Sequence, residues 1–231
     1  MYMTKNIINI GLPSKGRLKY ETINIFKKNK LNLFSERGER DLFGYIKKIP
    51  NAKIIYLHAR ECIEQLSLGN IDIGFSGYDL LKESDVNVQN KILVNKKYNF
   101  GNANLVLAIP DLWIDVQTLL DLDEVADEFK KKKKKLLRVA TKYPNLTRQF
   151  LFSKGVTQFQ LIKSLGSTEV APFTGTAEII SDITSTGATL KANNLRILKD
   201  GEILKSQACL MVSKLSLKKS GIKKIINLLR R

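Results

Sequence analysis

The residues best suited to chemistry lie in one run, Ile179-Ile180-Ser181-Asp182-Ile183-Thr184-Ser185-Thr186-Gly187-Ala188-Thr189-Leu190. An apolar strand delivers an acid to its end, a Thr/Ser/Gly loop follows, and a helix can start after it. Small residues let the backbone approach a phosphate closely. Consecutive N–H groups and the hydroxyls of Ser185, Thr186 and Thr189 can then surround its oxygens, with Gly187 and Ala188 between them. The loop has no lysine, so it is not a Walker loop. Asp182, just ahead of it, can accept hydrogen bonds from two adjacent ribose hydroxyls. That spacing suits a ribose 5-phosphate rather than a triphosphate. The competing reading is an ordinary strand–turn–helix connection.

Three further segments hold polar groups at strand ends. Pro13-Ser14-Lys15-Gly16-Arg17-Leu18 follows a first strand and precedes a helix, where anions bind readily. Lys15 and Arg17 flank Gly16, so two cations can reach one polyphosphate, Arg17 in bidentate fashion. A turn with two solvated bases explains the same residues. In Asp72-Ile73-Gly74-Phe75-Ser76-Gly77-Tyr78-Asp79, a buried strand ends in Ser76-Gly77. Asp79 can hold a hydroxyl, though capping the next helix is the simpler role. Ala140-Thr141-Lys142-Tyr143-Pro144-Asn145-Leu146-Thr147-Arg148 gathers polar groups after another strand, with Asn145 a candidate N-cap. His58 reads as a structural histidine, and Cys62 and Cys209 as core thiols.

The elements that must position these groups alternate between strand and helix. Strand patterns cover 7–12, 52–57, 71–75, 104–109, 137–140, 159–165 and 179–183. Helical spacing covers 18–28, 59–68, 78–83, 119–135, 146–153 and 222–229. Short strands at 196–198 and 208–212 are expected to flank a turn at Asp200-Gly201. The alternation predicts α/β architecture with mostly parallel sheets, in two lobes because the pattern restarts after Gly101.

Composition narrows the function classes. The 231 residues are 43% hydrophobic and 26% charged, which excludes wholesale disorder. One histidine and two cysteines leave no material for a histidine triad, a disulfide framework or a four-ligand zinc site. No apolar run approaches the ~20 residues of a membrane helix. The N-terminal run lacks a cleavage signal, so a cytoplasmic protein is expected. The net charge of +17 invites a nucleic-acid reading. Six of the lysines form the unbroken run Lys130 to Lys135, expected to be a solvated loop or frayed helix end. Six more positive charges crowd the C-terminus, from Lys218 to Arg231; the other basic residues are scattered along the chain rather than interleaved with aromatics, and no specific nucleic-acid partner is expected.

Together, GLPSKGRL (11–18), DIGFSGYDLL (72–81), ATKYPNLTR (140–148) and EVAPFTGTAEIISDITSTGATL (169–190) resemble the ATP phosphoribosyltransferases in order and spacing. The resemblance spans nearly the whole chain and is to the short form, without a C-terminal histidine-sensing domain. It implies a two-lobed α/β fold like the periplasmic binding proteins, with the active site in the interlobe cleft. The first lobe would hold residues 1–102 plus 195–231, the second 103–194. The implied reaction joins N1 of ATP to C1 of phosphoribosyl diphosphate and releases diphosphate, opening histidine biosynthesis. Mg²⁺ would be bound by substrate, with no protein metal site. Asp182 and Ser185 to Thr189 would bind phosphoribosyl diphosphate. Lys15, Gly16, Arg17, Arg60, Ser76, Gly77, Asp79, Arg148 and Glu169 would bind ATP or diphosphate. No catalytic base is implied, and Ala103 stands where the family often has a cysteine. The family also implies a homo-oligomer and a hetero-oligomer with a regulatory subunit resembling histidyl-tRNA synthetase. The other classes kept open are a two-lobed binding protein for an anionic ligand, a basic nucleic-acid-binding protein and a different phosphoribosyltransferase.

Overall fold

A computed structural model of the chain describes residues 7–35, 38 and 41–230. In chain order the elements are β1 (Ile8–Pro13), α1 (Gly16–Lys28), β2 (Leu33–Phe34), β3 (Phe43–Ile46), β4 (Ile49–Leu57), α2 (Ala59–Leu68), β5 (Ile73–Gly77), α3 (Tyr78–Glu83), α4 (Val86–Gln89) and β6 (Ile92–Lys97). There follow β7 (Ala103–Pro110), α5 (Leu119–Lys133), β8 (Leu137–Thr141), α6 (Pro144–Ser153), β9 (Phe159–Lys163), β10 (Ile179–Thr184), α7 (Ala188–Ala192) and β11 (Leu195–Ser206). The last elements are β12 (Ala208–Ser213) and α8 (Ile222–Leu229). The chain divides into two compact units, Met1–Gly101 with Gln207–Arg231, and Asn102–Ser206.

The first unit is built on a seven-stranded sheet in the order β2-β3-β4-β1-β5-β12-β6. Strand β12 is buried at every residue, and its alternate side chains serve two cores. Ala208, Leu210 and Val212 join Ile8, Ile10, Phe26 and Phe75 beneath Ile222, Ile225, Ile226 and Leu229 of α8. Cys209 and Met211 join Cys62, Ile63 and Leu66 of α2 on the other face. Gly74 lets α2 lie this close, because a Cβ there would stand 2.6 Å from the Cys62 Sγ. Burial pushes the Cys62 thiol up to about 12 and the Cys209 thiol up to about 11, so both are core thiols as expected.

The second unit has a five-stranded sheet in the order β11-β7-β10-β8-β9. Leu107, Ile109, Leu137, Val139 and Ile179 pack with Leu119, Leu122 and Ala126 of α5 and Leu151 of α6. Arg138 and Glu178 clamp the entrances of β8 and β10, with the Arg138 backbone N–H donating at 2.7 Å and its Nη2 at 2.6 Å. Burial works to raise the Glu178 carboxyl, but these hydrogen bonds and the guanidinium charge hold it below the usual range.

Three expectations change. The sheets are mixed: β1 is parallel to β4 and β5, and β8 to β9 and β10, while the other neighbours run antiparallel. The reason is connection type, since crossover helices make parallel pairs but the Lys47-Lys48 turn makes β3 and β4 a hairpin. The Asp200-Gly201 pair does not separate two strands. It lies in a bulge inside β11, where the register with β7 shifts and Asp200 accepts the Leu119 N–H at 2.9 Å. That long pairing with β7 keeps residues 195–206 in the second unit rather than the first. Lys130 to Lys133 end α5, which a Thr118/Asp121 capping box starts, and Lys134 closes it in the left-handed region. All six lysines are exposed; Lys131 and Lys132 pair with Asp127 and Glu128 at 3.9 and 3.0 Å.

Asp72 ties the first unit together. Its buried carboxylate accepts from the Asn9 N–H at 2.7 Å, the Ser216 hydroxyl at 2.6 Å and the Lys219 ammonium at 2.9 Å. Asp72→Ala should therefore cost about 2–3 kcal/mol, the scale of charge-assisted bonds with one partly exposed partner. Lys219→Met should cost less, because two donors to Asp72 remain. Urea unfolding of both variants checks the order, which a smaller loss for Asp72→Ala would reverse.

Candidate functional site

The parallel triplets decide where the sequence motifs gather. In the first unit β4, β1 and β5 are neighbours, with Pro13 level with Leu57. Their carboxyl ends bring Lys15, Gly16 and Arg17, then Arg60, then Ser76, Gly77 and Asp79 to one edge. Lys15, Gly16, Arg17 and Arg60 are exposed there. Gly16 has φ +75° at the start of α1. Ser76 is fully buried and donates to the Ala59 carbonyl at 2.7 Å, tying β5 to α2. Asp79 is buried in the first turn of α3, and a Cβ on Gly77 would strike its carboxylate. His58 is the N-cap of α2 and accepts from the Arg60 N–H at 3.4 Å, a structural role as expected.

In the second unit β10, β8 and β9 are the parallel neighbours, with Thr141 level with Ser181 and Lys163. Asp182 stands at the carboxyl end of β10, half-buried, and accepts the Ile183 N–H at 2.9 Å. Burial raises its carboxyl above the ordinary aspartate value. The Ile183 N–H, the Lys142 charge and the Thr168 hydroxyl oppose that rise, and the Glu169 charge adds to it. Glu169 lies in a short 3-10 turn, Thr168–Val170, that meets β10.

The loop after Asp182 turns on Gly187, which has φ +75° and serves as N-cap of α7. Its N–H donates to the Thr184 hydroxyl at 2.9 Å, and the Ala188 N–H to the Thr186 hydroxyl at 3.3 Å. Ser185, Thr186, Ala188 and Thr189 are exposed. Arg148 is exposed on α6, whose N-cap is Tyr143 with Pro144 at the first position, so Asn145 is not the cap.

The polar segment 140–148 is marked by the sequence, but only Arg148 in it is assigned a ligand role; the structure sets Thr141, Lys142 and Thr147 behind Asp182. Lys142 is the first residue after β8 and faces Asp182 electrostatically. Beneath both, the Thr147 hydroxyl donates to the Tyr143 carbonyl at 2.7 Å and meets the Ser181 hydroxyl at 2.8 Å and that of Thr141 at 3.3 Å. All three hydroxyls are fully buried. Their signal was a polar residue at an otherwise apolar strand end.

The family model described as "HisG: ATP phosphoribosyltransferase" matches residues 58–231. The chain belongs to the ATP phosphoribosyltransferase family. An ATP phosphoribosyltransferase of Nitrobacter winogradskyi is 47% identical over 212 residues, which are 92% of this chain and 65% of that relative. The chain thus spans just under two thirds of that relative's length. Among solved structures, the ATP phosphoribosyl transferase (HisG:HisZ) complex from Thermotoga maritima is similar at 26% identity and TM-score 0.73, over 97% of both chains. The substrate binding protein of an amino acid ABC transporter shares the fold alone, at 13% identity and TM-score 0.56 over 97% of this chain and 90% of that one. The likeness to periplasmic binding proteins expected for an ATP phosphoribosyltransferase is therefore present.

The Asp182 surroundings give a signed test. A carbon NMR titration should find the Asp182 midpoint above that of ordinary aspartates, with Asp182→Asn identifying its resonance. Lys142→Met removes an opposing positive charge and should move the midpoint up; Glu169→Gln removes a like charge and should move it down. Movement of either variant in the other direction contradicts this arrangement.

Proposed function

We propose that the chain catalyses attack of adenine N1 of ATP on C1 of phosphoribosyl diphosphate, releasing diphosphate in the first step of histidine biosynthesis. One observation carries the reading. An acid at a strand's carboxyl end runs directly into a Ser/Thr/Gly loop with its turn at Gly187, in a chain of this family. The N1–C1 bond forms as the C1–oxygen bond to diphosphate breaks. N1 has a free lone pair and no proton to lose, so bond formation needs no strong base. The work left to the protein is alignment of two polyanions and stabilisation of the leaving group.

Each proposed role follows from the residue's surroundings. Ser185 to Thr189 hold the 5-phosphate: the Gly187 and Ala188 N–H groups, which the Thr184 and Thr186 hydroxyl oxygens accept, become available to it when those side chains change χ1 rotamer. Asp182 accepts from the two ribose hydroxyls, and the Lys142 charge and the Thr168 hydroxyl oppose the rise that burial gives its carboxyl. Lys15, Gly16, Arg17 and Arg60 meet the phosphates of ATP or diphosphate. Ser76, Gly77 and Asp79 shape that edge, and Arg148 and Glu169 are further contacts to ATP or diphosphate.

Mg²⁺ carried by the diphosphate substrate would offset the leaving group's charge. Among the described residues no three His, Cys, Asp or Glu side chains are grouped to hold a metal. The donors at the Asp182 edge suit a metal carried mainly by substrate oxygens and water. Similarity to the HisG:HisZ complex supports a HisZ-type regulatory partner resembling histidyl-tRNA synthetase, besides self-association. No helix among the described residues is long and apolar enough to cross a membrane, and cytoplasmic location belongs to the same proposal.

The direct test follows phosphoribosyl-ATP and diphosphate formation from ATP, phosphoribosyl diphosphate and Mg²⁺, with the chain alone and with a HisZ-type subunit. Absence of product in both arms rejects the reading. Asp182→Asn should weaken phosphoribosyl diphosphate by about 1.5–3 kcal/mol and ATP less, as expected for a charge-assisted acceptor. Gly187→Val should weaken it further, because a β-branched residue cannot hold φ +75° without strain. Calorimetric titration of each folded variant with both substrates decides, and unchanged phosphoribosyl diphosphate affinity in both removes this loop from the site.

A further inference from the structure

The basic residues that are scattered along the chain are not all scattered in the fold. In the first sheet Phe34 is level with Tyr45, and Tyr45 with Lys53, so β2, β3 and β4 present these three side chains on one face. Phe43, two residues before Tyr45, shares that face. The Phe34 and Tyr45 rings stack with centroids 5.7 Å apart and planes 24° apart. The Lys47 ammonium lies 4.5 Å from the Phe34 centroid, and that of Lys53 lies 4.2 Å from the Phe43 centroid. Phe43 is 48% exposed and Tyr45 43%.

Phe43, Tyr45, Lys47 and Lys53 are all exposed at this end of the sheet. The same face farther along β4 is closed by α2, where Ile55 and Leu57 pack against the cluster of Cys62, Ile63 and Leu66. Beside Phe34 a cavity of about 170 Å³ is lined by Lys30, Asn32, Phe34, Lys47 and Lys48. It sits by the turn that enters β4, the end opposite Leu57 and the edge carrying Arg60. Asp41, which accepts the Phe43 N–H at 3.1 Å, is a carboxylate at the rim.

We propose that this face binds single-stranded nucleic acid without reading its sequence: bases stack on Phe43 and Tyr45, and phosphates meet Lys30, Lys47, Lys48 and Lys53. Exposed rings on an open sheet offer every base a stacking surface, and lysines between them match the phosphate spacing loosely. Lysine over an exposed ring is a weak contact on a flexible stem, so the ammonium groups can swing to phosphates at little cost. A second copy of the chain is a poor occupant, since a twofold contact would set lysines against lysines. An apolar protein surface is also a poor one, because interface cores are depleted of lysine. The chain's +17 charge favours a polyanion over either.

The test is fluorescence anisotropy of the full chain with a labelled oligo-dT of about 12 nucleotides, within the usual site size for such surfaces. Saturating ATP and phosphoribosyl diphosphate should leave the oligonucleotide bound, which separates this face from the proposed active site. Phe43→Ala with Tyr45→Ala should weaken binding at least tenfold with the salt slope unchanged. Lys47→Gln with Lys53→Gln should flatten the slope by about 1.4, or 0.7 for each lost phosphate contact. Replacing Lys130 to Lys135 by serine should leave the effect of the aromatic pair intact. Tyr45→Trp should keep binding and show indole quenching on base stacking, a readout that needs no loss of function. The proposal is overturned by equal affinity of the aromatic pair variant, by dependence on Lys130 to Lys135 alone, or by displacement with the two substrates. It is equally overturned if the aromatic changes dissociate a protein oligomer while oligonucleotide affinity stays the same.

Discussion

A crossover helix returns the chain so that two parallel strands finish at the same edge of their sheet. Within each unit a parallel triplet sets this edge, β4-β1-β5 in the first and β10-β8-β9 in the second. Almost all of the candidate chemistry hangs on it. Lys15, Arg17, Arg60 and Asp79 are far apart in sequence, yet each follows the carboxyl end of one of three adjacent strands. Asp182 and Lys142 are likewise brought side by side by the level pairing of Ser181 with Thr141. The strands outside the triplets widen the sheets and build the cores; β6 also brings Lys97 to the first edge, level with Ser76 through Cys209, and β7 pairs with β10 beyond Asp182.

At the second edge burial and neighbouring charge compete. Asp182 is half-buried, and burial raises its carboxyl above the ordinary aspartate value. Three neighbours work against that: the Ile183 N–H, Lys142 and Thr168. A buried hydroxyl chain, Thr141, Thr147 and Ser181, locks the two strand ends that bear Lys142 and Asp182. Its geometry is satisfied internally through the Tyr143 carbonyl and N–H, at 2.7 and 2.9 Å. The polar residues in this core therefore fix position without exposing an unpaired group, which buried networks require to be stabilising.

Much of this was legible in the sequence because the signals were local. The helices Ala59–Leu68, Tyr78–Glu83 and Ile222–Leu229 have the bounds that their spacing predicts. The Asp182 loop follows a strand and precedes a short helix as read. What sequence patterning hid was non-local. β3 and β6 carry mixed patterns, because Phe43 and Tyr45 are exposed on one face of β3 and Lys96 and Lys97 end β6. Without the alternation that marks a strand, neither shows in the sequence pattern, which therefore suggests mostly parallel sheets. Asp200-Gly201 has turn chemistry, but its energy is spent on a bulge held by the Leu119 N–H. Ser76 looked like a ligand group at a strand end, yet its hydroxyl is committed to the Ala59 carbonyl.

The positive charge shows the same contrast between order along the chain and order in space. The longest lysine run is the least unusual feature in the fold: it ends α5, where cations meet the negative end of the helix dipole and two of them find i−4 carboxylates. It extends one helix and converges with no aromatic beyond Phe129, whose ring lies 4.0 Å from Lys133. Lys47 and Lys53 are six residues apart and look incidental on paper. The hairpin between them and the pairing of β2 to β3 bring both over rings of the same sheet face. A strand spacing of ~4.8 Å then sets aromatic and cationic groups side by side at the separation where base and phosphate contacts can form together. For a basic protein, how the sheet registers its lysines against its aromatics says more about polyanion recognition than how many lysines it has in a row.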